Sequence, residues 1–209
     1  MTDADVRTPS PRTSRSGALF DTVFAGRPYM ALFRGLSVAD TLAGCHRAWD
    51  AGIDVVEVPI QTPEAVVALR EAVRDGRGRG REVGAGTVLT PEQVQAAAAA
   101  GATFTVAPGL DPAVAVAAER EGLAHLPGVA TATEIGTALR HGLRWLKAFP
   151  ATQLGAGWIR AQRGGPFPGV SFVATGGITP ATAAEFLGAG AAVVAFGSAV
   201  TDFDGLPGA

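Results

Sequence analysis

One phrase recurs along this chain and constrains its fold more than any other feature. An alanine-rich amphipathic stretch ends in a small residue plus glycine, a short apolar run follows, and then comes a loop with Gly or Pro. Asp50-Ala51-Gly52 precedes IDVVEV, Ala100-Gly101 precedes ATFTVA, and Glu121-Gly122 precedes LAHLPG. The series continues with His141-Gly142 before LRWLKAF and Gly188-Ala189-Gly190 before AAVVAFG. Glycine just past a helix supplies the left-handed conformation that ends it. Apolar runs of five or six residues without strict alternation suit buried parallel strands. The phrase is βα repetition.

The repetition predicts eight strands, at roughly 29–33, 54–58, 82–86, 104–107, 123–126, 145–149, 171–174 and 192–196. Helices fall between them, near 38–51, 63–75, 91–100, 112–121, 131–141, 156–164 and 180–189. Thr62-Pro63, Thr90-Pro91 and Thr179-Pro180 each pair an N-cap with proline at the first helical position. Thr131-Ala132-Thr133-Glu134 has the pattern of a capping box. GRGRG at 76–80 reads as a flexible loop. Eight evenly spaced βα units point to a single-domain α/β fold, a (β/α)8 TIM barrel over residues 18–209, with an open doubly wound sheet as the other arrangement. Gly84-Ala85-Gly86 lacks the third glycine of a dinucleotide-binding fingerprint, which argues against a Rossmann site.

Composition narrows the function classes. The formal net charge of −2 gives no electrostatic case for nucleic acid binding. No stretch has the length of apolar sequence that a membrane span requires. The single cysteine, Cys45, excludes an intramolecular disulfide and CxxC-type sites, and its setting is that of a small core residue. His46 and His141 fall on predicted helices, while His125 falls on the fifth strand, where it could point into the barrel. The three histidines have no metal-ligand spacing, so no metal is expected; no cofactor is expected either. Trp49, Trp145 and Trp158 read as packing residues. Residues 1–17, rich in Ser, Thr, Pro and Arg without an apolar core, read as a disordered tail rather than a secretory signal, and a cytoplasmic location follows by default.

Chemistry in such a barrel sits at the C-terminal ends of the strands. By that rule Arg34, Glu57, Thr87, Pro108, Lys147, Gly176-Gly177 and Gly197-Ser198 converge on one mouth. Lys147 is the only lysine, all 16 other Lys/Arg positions being arginine, and it lies in the apolar run WLKAF. Lysines are rarely buried without a partner, and an amine kept neutral by burial is a nucleophile. Glu57 lies in the apolar run VVEVPI, where a carboxylate is costly to keep, unless it accepts protons in a reaction or pairs with Arg34. The loops after strands seven and eight carry Gly176-Gly177 and Gly197-Ser198. Two such loops on adjacent strands suit a phosphate, held by backbone N–H groups.

These motifs resemble those of the short class I aldolases that cleave 2-keto-3-deoxy-6-phosphosugar acids, the KDPG/KHG aldolase family. The resemblance spans residues from about 28 to 202. It rests on Glu57-Val58-Pro59, Gly84-Ala85-Gly86-Thr87-Val88-Leu89, Pro108-Gly109, Pro127-Gly128-Val129-Ala130-Thr131, Leu146-Lys147-Ala148-Phe149-Pro150 and Thr175-Gly176-Gly177-Ile178. It implies Lys147 as the Schiff-base lysine, Glu57 as general acid/base and Thr87 on the substrate carboxylate. It also implies Gly176, Gly177, Gly197 and Ser198 around the phosphate, with Pro108 and Phe149 as site walls. The partner would be a small keto acid phosphate, the assembly a homotrimer, and the reaction free of metal. The products would be pyruvate and glyceraldehyde 3-phosphate, and the family also takes 4-hydroxy-2-oxoglutarate to pyruvate and glyoxylate. One departure stands out. Gln61 occupies a position where many gluconate-type members carry an arginine, while Arg34 follows the first strand. That pattern, with GVATATE at 128–134, is similar to the galactonate-type branch, and it suggests that Arg34 takes over carboxylate binding. Two other readings of the residues remain: a phosphate-binding barrel with isomerase or synthase chemistry, and a non-catalytic sugar-phosphate sensor.

Overall fold

In the computed structural model, residues 15–198, 200, 203 and 206 are described. Nine parallel strands form a nearly closed barrel with helices between them. The strands are β1 Tyr29–Leu32, β2 Val55–Pro59, β3 Glu82–Gly86, β4 Phe104–Val106, β5 Ala124–Leu126, β6 Gly128–Val129, β7 Trp145–Ala148, β8 Ser171–Thr175 and β9 Val193–Phe196. The helices are α1 Arg15–Val23, α2 Val38–Asp50, α3 Pro63–Gly78, α4 Pro91–Ala99, α5 Pro112–Arg120, α6 Ala132–Arg140, α7 Ala151–Leu154, α8 Ala156–Gly164 and α9 Pro180–Gly188. The glycines that the sequence places after helices, Gly52, Gly101, Gly122, Gly142 and Gly190, all have positive φ.

The ninth strand has a local cause. The fifth predicted strand continues past Pro127, which has no N–H to give a ladder. Before it, β5 pairs with β4; after it, β6 pairs with β7. The Pro127 carbonyl accepts from the Lys147 N–H at 2.8 Å, so the same junction that brings the two ends of the sheet together also fixes the Lys147 backbone.

Residue parity separates two apolar layers. Met30, Val55, Phe104, Val106, Ala124, Leu126, Trp145, Val173, Val193 and Ala195 fill the barrel interior. Their neighbours, such as Ala31, Val56, Val58, Leu146, Phe172, Ala174 and Val194, pack outward against the helices. Helix α1 stoppers the interior from the N-terminal end. Phe20 is fully buried, edge-on to Phe104 at 5.7 Å, and Phe24 lies 5.3 Å from Trp145. Asp21 accepts from Trp145 Nε1 at 2.9 Å and pairs with Arg144.

Three expectations need correction. Residues 15–17 are not tail but the first turn of α1; the rest of the expected tail lies outside the described residues. GRGRG is not a loop throughout, because α3 runs to Gly78. Gly76 is buried, and a Cβ there would lie 2.9 Å from Val83 Cγ2, so close packing rather than flexibility selects the glycine. His125 does not point into the barrel. Ala124 and Leu126 do, which turns His125 outward, where its Nδ1 meets Thr105 Oγ1 at 2.9 Å.

Candidate active site

The parity that buries Val55, Trp145 and Val173 places the residues two positions on, Glu57, Lys147 and Thr175, in the next layer of the interior. All three are buried, at 0%, 3% and 2% exposure. The barrel thus has an apolar floor, sealed by α1, and above it a polar layer facing the C-terminal mouth.

Glu57 is held between Leu32 of β1 and Gly84 of β3 in the sheet register. Neither carboxylate oxygen has a hydrogen-bond partner among the described residues. The alternative reading, a structural pairing with Arg34, is not made among the described residues. Buried polar groups without partners are rare in folded proteins and call for an explanation, such as a catalytic role. Gly86 makes room for the carboxylate: a Cβ at that position would fall 2.0 Å from Glu57 Oε1. Lys147 pairs in register with Gly128 and Val173. Its Nζ lies over the Phe149 ring, 4.8 Å from the centroid, and it enters none of the ion pairs among the described residues. Thr175 Oγ1 is likewise buried without a partner. Sequence reasoning quoted Thr175 only as part of a motif; its parity with Val173 was the signal that it faces inward.

The other predicted site residues all follow strand ends on this face: Arg34 after β1, Thr87 after β3, Pro108 after β4, Phe149 after β7, Gly176-Gly177 after β8 and Gly197-Ser198 after β9. Thr87 has φ 56, the one non-glycine residue recorded with positive φ among those described. A β-branched residue there is strained, and such strain clusters at functional sites. Gly176 and Gly177 also have positive φ, and the Gly176 carbonyl accepts from the Thr152 N–H at 3.1 Å. The Arg34 guanidinium donates to Gln61 Oε1 at 2.5 Å, and the Arg34 backbone N–H donates to Ser198 Oγ at 2.6 Å. Gln61 therefore does more than fill the place of an absent arginine, since it anchors one supplied by the neighbouring strand.

Among the described residues, no group of three or more His, Cys, Asp or Glu side chains is arranged to hold a metal ion, and no helix is long and apolar enough to cross a membrane. An inward-facing amine and an unpartnered carboxylate, layered over an apolar floor at the open end of a (β/α)8 barrel, define a barrel enzyme. Residues 30–207 match the family model described as KDPG and KHG aldolase. The chain is 37% identical over 171 residues to the 2-dehydro-3-deoxy-6-phosphogalactonate aldolase of Escherichia coli (strain K12), covering 82% of this chain and 83% of that one. Among solved structures, it is similar to the KDPG aldolase of Legionella pneumophila with pyruvate captured as a covalent carbinolamine intermediate (TM-score 0.77, 32% identity, 89% of this chain and 87% of that one). It is equally similar to the 2-keto-3-deoxy-6-phosphogluconate aldolase of Zymomonas mobilis ZM4 with 3-phosphoglycerate (TM-score 0.77, 32% identity, 85% and 84%). The chain belongs to the KDPG and KHG aldolase family.

Proposed function

We propose that this protein is a class I aldolase that cleaves a 2-keto-3-deoxy-6-phosphosugar acid, of the gluconate or galactonate type, to pyruvate and glyceraldehyde 3-phosphate. One observation carries the reading most: Glu57, wholly buried and without a hydrogen-bond partner among the described residues, occupies the same interior layer as the only lysine. A binding module has no use for that pair, and an isomerase or synthase does not need the lysine.

The reaction follows from the groups. The Lys147 amine adds to the C2 ketone to give a carbinolamine, which loses water to form an iminium. The C3–C4 bond then breaks, its electron pair flowing into the iminium to leave an enamine. Glu57, directly or through water, takes the C4 hydroxyl proton as glyceraldehyde 3-phosphate departs. A proton returned to C3 and hydrolysis of the imine release pyruvate and the free amine. Trp145 and the α1 aromatics exclude water from below. Arg34 and Thr87 bind the carboxylate, while backbone N–H groups at Gly176, Gly177 and Gly197, with Ser198, take the phosphate. Holding both ends orients the reacting carbon over Lys147. Pro108 and Phe149 wall the site, and the Thr175 hydroxyl is free to meet a substrate hydroxyl. The enzyme works as a homotrimer, for which exposed Leu36, Val67 and Leu89 supply apolar surface, and in the cytoplasm, where phosphorylated sugar acids are retained.

Purified protein offered the phosphogluconate and phosphogalactonate substrates separately will release pyruvate from at least one, followed by lactate dehydrogenase coupling. Arg34→Ala will weaken pyruvate affinity. Folded protein that cleaves neither substrate overturns the reading, and unchanged pyruvate affinity removes Arg34 from the carboxylate site.

A further inference from the structure

Ser198 does something that a simple phosphate ligand would not. Its oxygen accepts the Arg34 backbone N–H at 2.6 Å, across a sequence separation of 164 residues. Its own hydrogen has only distant acceptors, the carbonyls of Leu32 and Arg34, each at 3.4 Å. Gly35, with φ 67, turns the chain away immediately afterwards. Arg34 is therefore held twice: through its backbone by the loop after β9, and through its guanidinium by Gln61 in the loop after β2. The guanidinium is on the exposed rim, so these two anchors are what define its position.

We infer that Ser198 is a positioning residue for Arg34, and that its single hydroxyl couples the two ends of the substrate. The oxygen steadies Arg34, which takes the carboxylate, while the hydrogen remains available to an anion on the phosphate side. A hydroxyl that donates to an anion becomes a better acceptor, because chained hydrogen bonds polarise one another. Anion binding at Ser198 then tightens the Arg34 contact, and carboxylate binding tightens anion binding in return. The inference rests on the aldolase reading and on the place of Arg34 within it.

The test uses pyruvate, which has no phosphate. The pyruvate dependence of borohydride-trapped adduct is measured for wild type, Ser198→Ala, Arg34→Ala and the double variant. Loss of one neutral hydrogen bond predicts that Ser198→Ala raises the half-saturating pyruvate concentration roughly fivefold. In the Arg34→Ala background the same substitution will add nothing, because the effect passes through the guanidinium. Inorganic phosphate will lower the half-saturating concentration of wild type and leave that of Ser198→Ala unmoved. A Ser198→Ala protein that binds pyruvate like wild type, or that loses affinity by the same factor in both backgrounds, overturns the inference. Wild type that forms no adduct would fail the aldolase reading itself, a distinguishable result.

Discussion

Replacing Gly86 with alanine puts a methyl group where the Glu57 carboxylate lies. The added Cβ would fall 2.0 Å from Oε1, 2.6 Å from Cγ and 2.7 Å from Cδ, where real Cβ atoms essentially never come within 3.0 Å. The carboxylate must therefore retreat by on the order of 1 Å, or β3 must move. The strand has little freedom, because the Phe104 ring packs directly on its backbone at Gly84, 2.2 Å from where a Cβ would stand. A catalytic group misplaced by about 1 Å loses about 100-fold in rate. Overpacking an ordered interior costs about 1–3 kcal/mol. Gly86→Ala is thus expected to fold, to unfold at a lower urea midpoint, and to cleave substrate about 100-fold more slowly. Lys147, on β7, keeps its position, so borohydride trapping with pyruvate should still label it. Folded Gly86→Ala protein with turnover within about threefold of wild type would refute the placement of Glu57 as the proton-transfer group.

Other outcomes follow from the same geometry. Glu57→Met removes two buried acceptors without partners among the described residues and should raise stability by about 1–3 kcal/mol in urea titration while turnover falls by about 100- to 10,000-fold. Burial pushes the His125 imidazole down from 6.5 to about 4, the Asp111 charge opposing in part. The unfolded chain therefore binds the proton first, and stability present above the unfolded value is lost as pH falls from 6.5 through 4, by up to about 3 kcal/mol. His125→Gln should flatten that part of the stability–pH profile. Burial, and then the nearby Asp75 charge, push the Cys45 thiol up to about 12, so iodoacetamide at pH 8 should label the protein only when it unfolds.

The barrel was legible because its signals are local and repeated. Glycines after helices, proline at helix starts and apolar runs each report a neighbourhood of a few residues, and the strands fall within a residue or two of expectation. The elements that escaped depend on distant partners. Helix α1 reads as polar tail at its start, and only the barrel end that it closes explains why Phe20 and Phe24 are apolar. The two-residue β6 follows from Pro127 changing partners between β4 and β7, which no local pattern announces. At the site, Lys147 and Glu57 stood out because each violates an apolar run. Arg34, by contrast, was tied to Gln61 only through family resemblance, and its contact with Ser198 links residues far apart in sequence. The inward face of Thr175 and the outward face of His125 both follow from strand parity, which a short run of apolar residues conceals until its neighbours in the sheet are known.

The most direct test of the central claim is reduction by borohydride in the presence of pyruvate, followed by peptide mass mapping. The account predicts a reduced pyruvyl adduct on the peptide containing Lys147, absent without pyruvate and absent in Lys147→Met. Folded wild-type protein that carries no adduct, or an adduct located elsewhere, would contradict it.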